Sequence, residues 1–239
     1  MSARTLLLDA AHVAAGHAHR EDPSRPRAGG PAGNARLTAW TGLVLLVLVV
    51  VEIVTALDVT GMLTWHVVVG TILVPVALLK TASTGWRIVR YYTGQRDYRQ
   101  AGPPPMLLRV LGPLLVASTL GLFGTGLALM ALGPEAGRSP LVTFLGQGWD
   151  VLTLHQGFFI VFAVSAGLHV LARIVPAVEL AGRRVARAAR TPGRAARGWV
   201  LALVLVAGVI GAALILPTET AWQHDHHFHD LYGRHRFDR

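Results

Sequence analysis

The stretch HVVVGTILVPVALLKTASTGW, from His66 to Trp86, decides the fold. It is apolar over the length that crosses a membrane, yet it carries two ionisable side chains, His66 and Lys80. A transmembrane helix needs about 20 mainly apolar residues, and residues 37–57, 110–132, 151–172 and 199–216 also meet that requirement. We therefore predict an all-α integral membrane protein, with a four-helix bundle in residues 37–178 and a fifth transmembrane helix in residues 199–217.

Composition supports a membrane chain and excludes several classes of site. Hydrophobic residues make up 52% of the 239 positions, and only 15% are charged, against roughly 25% in a soluble domain. The absence of cysteine excludes iron–sulfur clusters, thiolate zinc sites and covalently attached haem. The net charge of +9 comes from arginines between the apolar runs. These favour contact with lipid headgroups rather than with nucleic acid.

The arginines also predict the orientation in the membrane. Arginine-rich segments (1–36, 87–109 and 173–197) alternate with arginine-poor loops (58–65 and 133–150). By the positive-inside rule, the N-terminus is then cytoplasmic and the C-terminus extracytoplasmic. We interpret residues 1–36 as a disordered cytoplasmic tail, 179–198 as a basic cytoplasmic surface segment, and 218–239 as a histidine-rich extracytoplasmic tail. Richness in alanine, glycine and arginine with a single lysine is typical of high-GC bacteria, which indicates a bacterial cell membrane.

Three histidines fall within the predicted spans: His66, His155 and His169. Ionisable side chains at membrane depth are costly and are functional candidates. His66 and His155 begin spans that run in the same direction, so the two rings should lie at similar depth near the extracytoplasmic face. His155 and His169 are 14 positions apart, which leaves them roughly 40° apart around one helix and roughly 21 Å apart along it.

Span two repeats this spacing, because His66 and Lys80 are also 14 positions apart. If spans two and four face each other, His66 meets His155 and Lys80 meets His169. The outer pair would form a bis-imidazole haem site, and the inner pair would need Lys–His ligation or a haem held by His169 alone. Intramembrane histidines also serve as interhelical hydrogen-bond partners, and Lys80 can instead extend to the cytoplasmic headgroups.

Several other residues are also functional candidates. Glu52 could relay protons, pair with a group beside a haem, or reach the outer interface. Small residues that would let a flat macrocycle approach the helices, or simply serve helix packing, are Gly70, Gly121, Gly124 and Gly126. The tail could bind Zn²⁺ or Cu²⁺ through His224, His226, His227 and His229.

Several motifs together resemble a known family, the bacterial membrane cytochrome b subunits that serve formate dehydrogenases and nickel–iron hydrogenases. The chain is most similar to small cytochrome b-like proteins of actinobacteria. The resemblance covers residues 37–178 and is carried by His66-Val67-Val68-Val69-Gly70, by LLKTASTGWR at 78–87, by Arg90-Tyr91-Tyr92-Thr93-Gly94, by Pro103-Pro104-Pro105, by Leu154-His155 and by His169. It implies haem b, transmembrane electron transfer and often quinone chemistry, with His66, His155 and His169 at haem-ligand positions. Lys80 stands where a fourth histidine would complete a two-haem set.

From these observations we expect a haem b electron-transfer subunit of an oxidoreductase complex rather than a stand-alone enzyme. It would hold one haem, or two if the inner site is used, and pass electrons between an extracytoplasmic redox partner and the membrane quinone pool. Two alternatives stay open. One is a haem-free transporter in which Glu52, Lys80 and the histidines relay ions, and the other is a membrane anchor for a partner subunit.

Overall fold

The computed structural model describes residue 8 and residues 30–100, 106–144, 146–182 and 192–224. Long helices dominate these ranges, and the only strands in them form one short hairpin. The elements are α1 (Pro31–Leu57), α2 (Val59–Tyr92), α3 (Arg96–Gln100), α4 (Met106–Gly137), β1 (Val142–Phe144), β2 (Gln147–Trp149), α5 (Val151–Gly182), α6 (Arg194–Ile215) and a final 3₁₀ turn (Leu216–Glu219).

Five of these segments are long and apolar enough to cross a membrane, which confirms an all-α multi-pass architecture. They are Pro31–Leu57, Val59–Tyr92, Arg109–Gly137, Val151–Leu171 and Arg194–His224. The predicted orientation, with the N-terminus in the cytoplasm, stays a prediction. Most of the 1–36 tail lies outside the described residues, as do residues 183–191 of the basic segment and 225–239 of the C-terminal tail.

Four of the five long helices begin earlier than the apolar pattern predicts, as α1 and α6 illustrate. Helix α1 starts at Pro31 rather than at residue 37, because proline is well suited to the first helical position. The Asn34 side chain also anchors this first turn, since its Nδ2 donates to the carbonyl oxygen of Ser83 on α2 at 2.8 Å. Helix α6 starts at Arg194, five positions before residue 199. Hydropathy marks the part of a helix in lipid, and these helices continue beyond it.

The helices pack as two antiparallel hairpins with a fifth helix added. The extensive contacts are between α1 and α2, between α4 and α5, and between α2 and α6, while α1 also contacts α5 and α2 contacts α4. Within the described ranges, α2 and α5 are not among the helix pairs with extensive backbone contact. The two helices that carry His66 and His155 therefore do not pack tightly against each other.

Helix α6 docks on α2 through small residues. A Cβ atom at Gly208 would lie 3.0 Å from the Cα atom of Ile72 and 3.3 Å from the ring of Pro75. One turn later, Ala212 is only 3% exposed. Small residues one turn apart allow two backbones to approach closely inside a membrane, so this contact fixes the fifth span on the bundle.

A small cluster closes the end of the bundle where α2 and α5 begin. Trp222 is 6% exposed and packs with Leu129 and Val151, and its Nε1 donates to the carbonyl oxygen of Leu129 at 3.3 Å. Nearby, buried Glu219 accepts hydrogen bonds from the Thr64 hydroxyl and the Gln223 amide, both at 2.6 Å. The residues after Pro217, which we predicted to begin a polar tail, are thus folded onto the bundle as far as His224.

Exposed aromatic residues mark the limits of the apolar surface. Trp65 and Trp86 lie at opposite ends of the apolar part of α2 and are 61% and 49% exposed. They are 21 positions apart, or roughly 31 Å along a helix, which matches a hydrocarbon core of about 30 Å. Tryptophan is enriched at membrane interfaces, so this spacing supports contact with lipid along α2.

Candidate functional site

His66 and His155 meet at the end of the bundle. His66 lies in the third turn of α2 and His155 in the second turn of α5. Their ring centroids are 6.4 Å apart and their planes are nearly perpendicular, at 89°. Both side chains are half-buried. The structure therefore brings together the two histidines that the sequence placed at matched depth, on two helices with limited backbone contact.

The His66 ring is held by residues of α1. Its Nδ1 atom lies 3.1 Å from Oε1 of Glu52 and 3.3 Å from the hydroxyl of Thr55. The Thr55 hydroxyl donates to the Glu52 carbonyl oxygen at 2.8 Å, and Thr55 is only 1% exposed. Because a carboxylate only accepts hydrogen bonds, this arrangement favours a proton on Nδ1 of His66.

The His155 ring is held by residues of α4. Its Nδ1 atom lies 3.1 Å from the Leu122 carbonyl oxygen and 3.1 Å from the Thr125 hydroxyl. The Thr125 hydroxyl donates to the carbonyl of Gly121 at 2.7 Å. Since a carbonyl oxygen can only accept, the hydrogen bond to Leu122 requires a proton on Nδ1 of His155.

Both histidines therefore keep the same nitrogen, Nε2, unprotonated. In a neutral imidazole with a proton on Nδ1, the Nε2 atom carries the free lone pair. Among the residues that the structure describes, neither Nε2 atom has a hydrogen-bond partner. A nitrogen with a free lone pair, on a ring whose other nitrogen donates to a carboxylate or carbonyl, is the usual state of a metal-ligating histidine.

The four glycines singled out from the sequence have different surroundings. A Cβ atom at Gly70 would lie 2.9 Å from Glu52 Oε1, and one at Gly126 would lie 3.1 Å from Cε1 of His155. A Cβ atom at Gly121 would overlap the ring of Phe158, whereas one at Gly124 would meet nothing within 4 Å. Gly70 and Gly126 thus make room for the histidines and their partners, and Gly121 serves helix packing.

Near the other end of α2, the Lys80 side chain reaches α1. Its Nζ atom donates to the carbonyl oxygen of Thr38 at 3.1 Å, in space that a Cβ atom at Gly42 would fill. His169 is half-buried on α5, with its Nδ1 atom fully buried. Ligation of a second haem by Lys80 and His169 stays a prediction.

The C-terminal histidines lie largely beyond the described residues. His224 is exposed, while His226, His227 and His229 fall in the undescribed range, so metal binding by the tail stays a prediction. Over the described ranges there is no group of three or more histidine, aspartate or glutamate side chains that could hold a metal ion. A haem needs only two axial protein ligands, so the His66–His155 pair is a different kind of site.

Sequence analysis singled out Glu52 without fixing its partner, and it missed Thr55, Leu122 and Thr125. No motif marks these three residues, because a threonine or a backbone carbonyl can bond to a histidine only when its helix is oriented so that the group faces the ring. No family model matches the chain, and no curated protein or solved structure is similar enough to count as a match.

Proposed function

We propose that this chain binds haem b between His66 and His155 and acts as the electron-transfer subunit of a membrane oxidoreductase. It would pass electrons between an extracytoplasmic redox partner and the membrane quinone pool. The observation that carries the proposal is the paired histidines, with centroids 6.4 Å apart and both Nδ1 atoms already occupied.

The spacing of the two rings fits a shared metal ion. A ligating imidazole nitrogen lies about 2 Å from its metal, so two rings on opposite sides of one ion have centroids about 6 Å apart. Two neutral imidazoles are also a suitable axial ligand set for haem iron. Although α2 and α5 make limited backbone contact, the two histidines form a close ring contact between these helices.

Bound haem b would supply a one-electron redox couple. The chain's own residues would orient the histidine ligands and close the end of the bundle beside them. Glu52 and Leu122 would hold the Nδ1 protons of the two histidines, which leaves both Nε2 lone pairs free to bind iron. Gly126 lets the His155 ring lie against α4, and the cluster around Trp222 closes the nearby end of the bundle.

The test is a visible spectrum of the purified protein from cells supplied with haem. We expect a low-spin b-type spectrum that changes reversibly when the haem is reduced and reoxidised. We also expect a haem content of at least one per chain. His155→Ala should lose this signal while still inserting into the membrane. The matched control is His224→Ala, because His224 is an exposed histidine outside the pair. A wild-type protein without haem, or a variant at position 155 with an unchanged spectrum, would reject the proposal.

One contact favours a second candidate function, a haem-free ion or proton relay. Glu52 and His66 form a carboxylate–imidazole pair at 3.1 Å within the apolar spans, and such pairs occur in proton pathways. Proton flux into liposomes containing the haem-free protein, lost in Glu52→Gln, would support the relay. Absence of flux together with a haem spectrum would support electron transfer.

A further inference from the structure

The two histidines of the site differ in what holds their Nδ1 atoms. His66 faces the carboxylate of Glu52 at 3.1 Å, whereas His155 faces the backbone carbonyl of Leu122 and a neutral hydroxyl. The pair is therefore unequal, with a carboxyl group as the partner on one side only. Hydrogen bonds to an ionised acceptor are roughly twice as strong as neutral ones.

The Glu52 side chain is kept against His66 by its surroundings on two helices. Its side chain is 18% exposed, and a Cβ atom at Gly70 would come within 2.9 Å of Oε1. Only glycine at position 70 leaves this space beside α2 open for the carboxylate oxygen. On α1, the Thr55 hydroxyl lies 3.4 Å from Oε2 of Glu52, so each carboxylate oxygen has a polar neighbour.

A carboxylate that accepts the free N–H of a ligating histidine fixes the ring and makes its other nitrogen a stronger electron donor. A stronger donor stabilises the ferric state more than the ferrous state, which lowers the reduction potential. We propose that Glu52 is a positioning residue that gives His66 this character and sets the potential of the site below that of a neutral bis-histidine pair. The inference rests on the proposed haem function.

The experiment compares midpoint potentials of haem-loaded Glu52→Gln and wild-type protein, followed optically and by electron paramagnetic resonance. Glutamine keeps an oxygen that can accept the Nδ1 proton but removes the charge. In Glu52→Gln, we expect the ratio of the affinity for ferric haem to the affinity for ferrous haem to fall roughly tenfold. This change raises the midpoint potential by about 59 mV for a one-electron couple. Thr55→Val keeps the carboxylate and removes only a neutral partner, so it should change the ratio by roughly threefold or less.

A second variant tests the role of Glu52 even if Glu52→Gln does not retain haem. Gly70→Ala keeps the carboxylate but adds a methyl group that displaces it, and we expect the potential to rise in the same direction. Its control is Gly124→Ala, because a Cβ atom there meets nothing within 4 Å. The potential of that control should equal that of the wild type.

The outcomes separate this inference from the function on which it rests. If the wild-type protein binds no haem, the proposed function fails. If it binds haem through His66 and His155 and the potential of Glu52→Gln equals that of wild type, the role of Glu52 fails alone. Loss of haem from Glu52→Gln with an unshifted Gly70→Ala protein would overturn the role of Glu52 as well.

Discussion

Replacement of Trp222 by alanine should detach the segment after Pro217 from the end of the bundle. Trp222 is 6% exposed, donates its indole N–H to the Leu129 carbonyl oxygen at 3.3 Å, and lies beneath the Arg138 guanidinium at 5.2 Å. Truncation of a buried tryptophan to alanine costs about 3–5 kcal/mol. Because the ring packs across several helices rather than within one, we expect a loss of about 3 kcal/mol in the free energy of unfolding.

A graded series separates the contributions of this side chain. Trp222→Phe keeps an aromatic ring but loses the hydrogen bond to Leu129, and should cost about 1 kcal/mol. Trp199→Ala is the matched control, because Trp199 is the same residue type on the same span and is 70% exposed. Exposed substitutions away from special features usually change stability by less than about 0.5 kcal/mol.

The assay is unfolding of the purified protein by sodium dodecyl sulfate in mixed micelles, followed by far-ultraviolet circular dichroism. This signal does not depend on the number of tryptophans. We expect the order wild type, then Trp199→Ala, then Trp222→Phe, then Trp222→Ala, from most to least stable. If Trp222→Ala is no less stable than Trp199→Ala, the residues after Pro217 do not stabilise the bundle and the reasoning is wrong.

Three further predictions concern orientation and the two ends of the bundle. Reporter fusions after Arg96 and after Pro217 should report the cytoplasm and the exterior respectively, and two reports from one side would contradict the arginine pattern. Gly126→Ala places a methyl group against the His155 ring, so the haem content of this variant should fall severalfold, while Gly124→Ala keeps the wild-type content. Lys80→Met should lose one haem per chain if Lys80 ligates an inner haem, and an unchanged haem content with an unchanged spectrum would make it an interfacial anchor.

Much of the fold could be predicted because the bilayer imposes one strong requirement. Every backbone polar group in hydrocarbon must be satisfied internally, so an apolar run of sufficient length is read as a helix. The limits of the helices were harder to predict, as the early start of α1 at Pro31 and the helical residues after Pro217 illustrate. These ends lie in polar sequence, where neighbouring side chains rather than lipid decide whether a helix continues.

The sequence did not predict that the C-terminal segment packs on the bundle, for a similar reason. Residues 218–224 are polar in composition, and proline at 217 is typical of a helix end. Glu219 and Trp222 are nevertheless buried, because Thr64, Gln223 and the Leu129 carbonyl supply their hydrogen bonds. Thr64 and Leu129 are distant in sequence from this segment, so composition alone gives no indication of these partners.

The candidate site shows the same division between what a sequence specifies and what packing decides. The cost of an ionisable group in lipid is a property of the residue, so His66, His155 and Glu52 can be identified one at a time. Which hydrogen-bond acceptor faces each histidine ring depends on how the neighbouring helix is rotated about its axis. Each turn of that helix offers several candidate acceptors. Each ring has a threonine hydroxyl beside its Nδ1 atom, and only the approach of Glu52 to Nδ1 of His66 makes the two histidines unequal. That inequality is a product of packing, and it is the feature that a reduction potential would report.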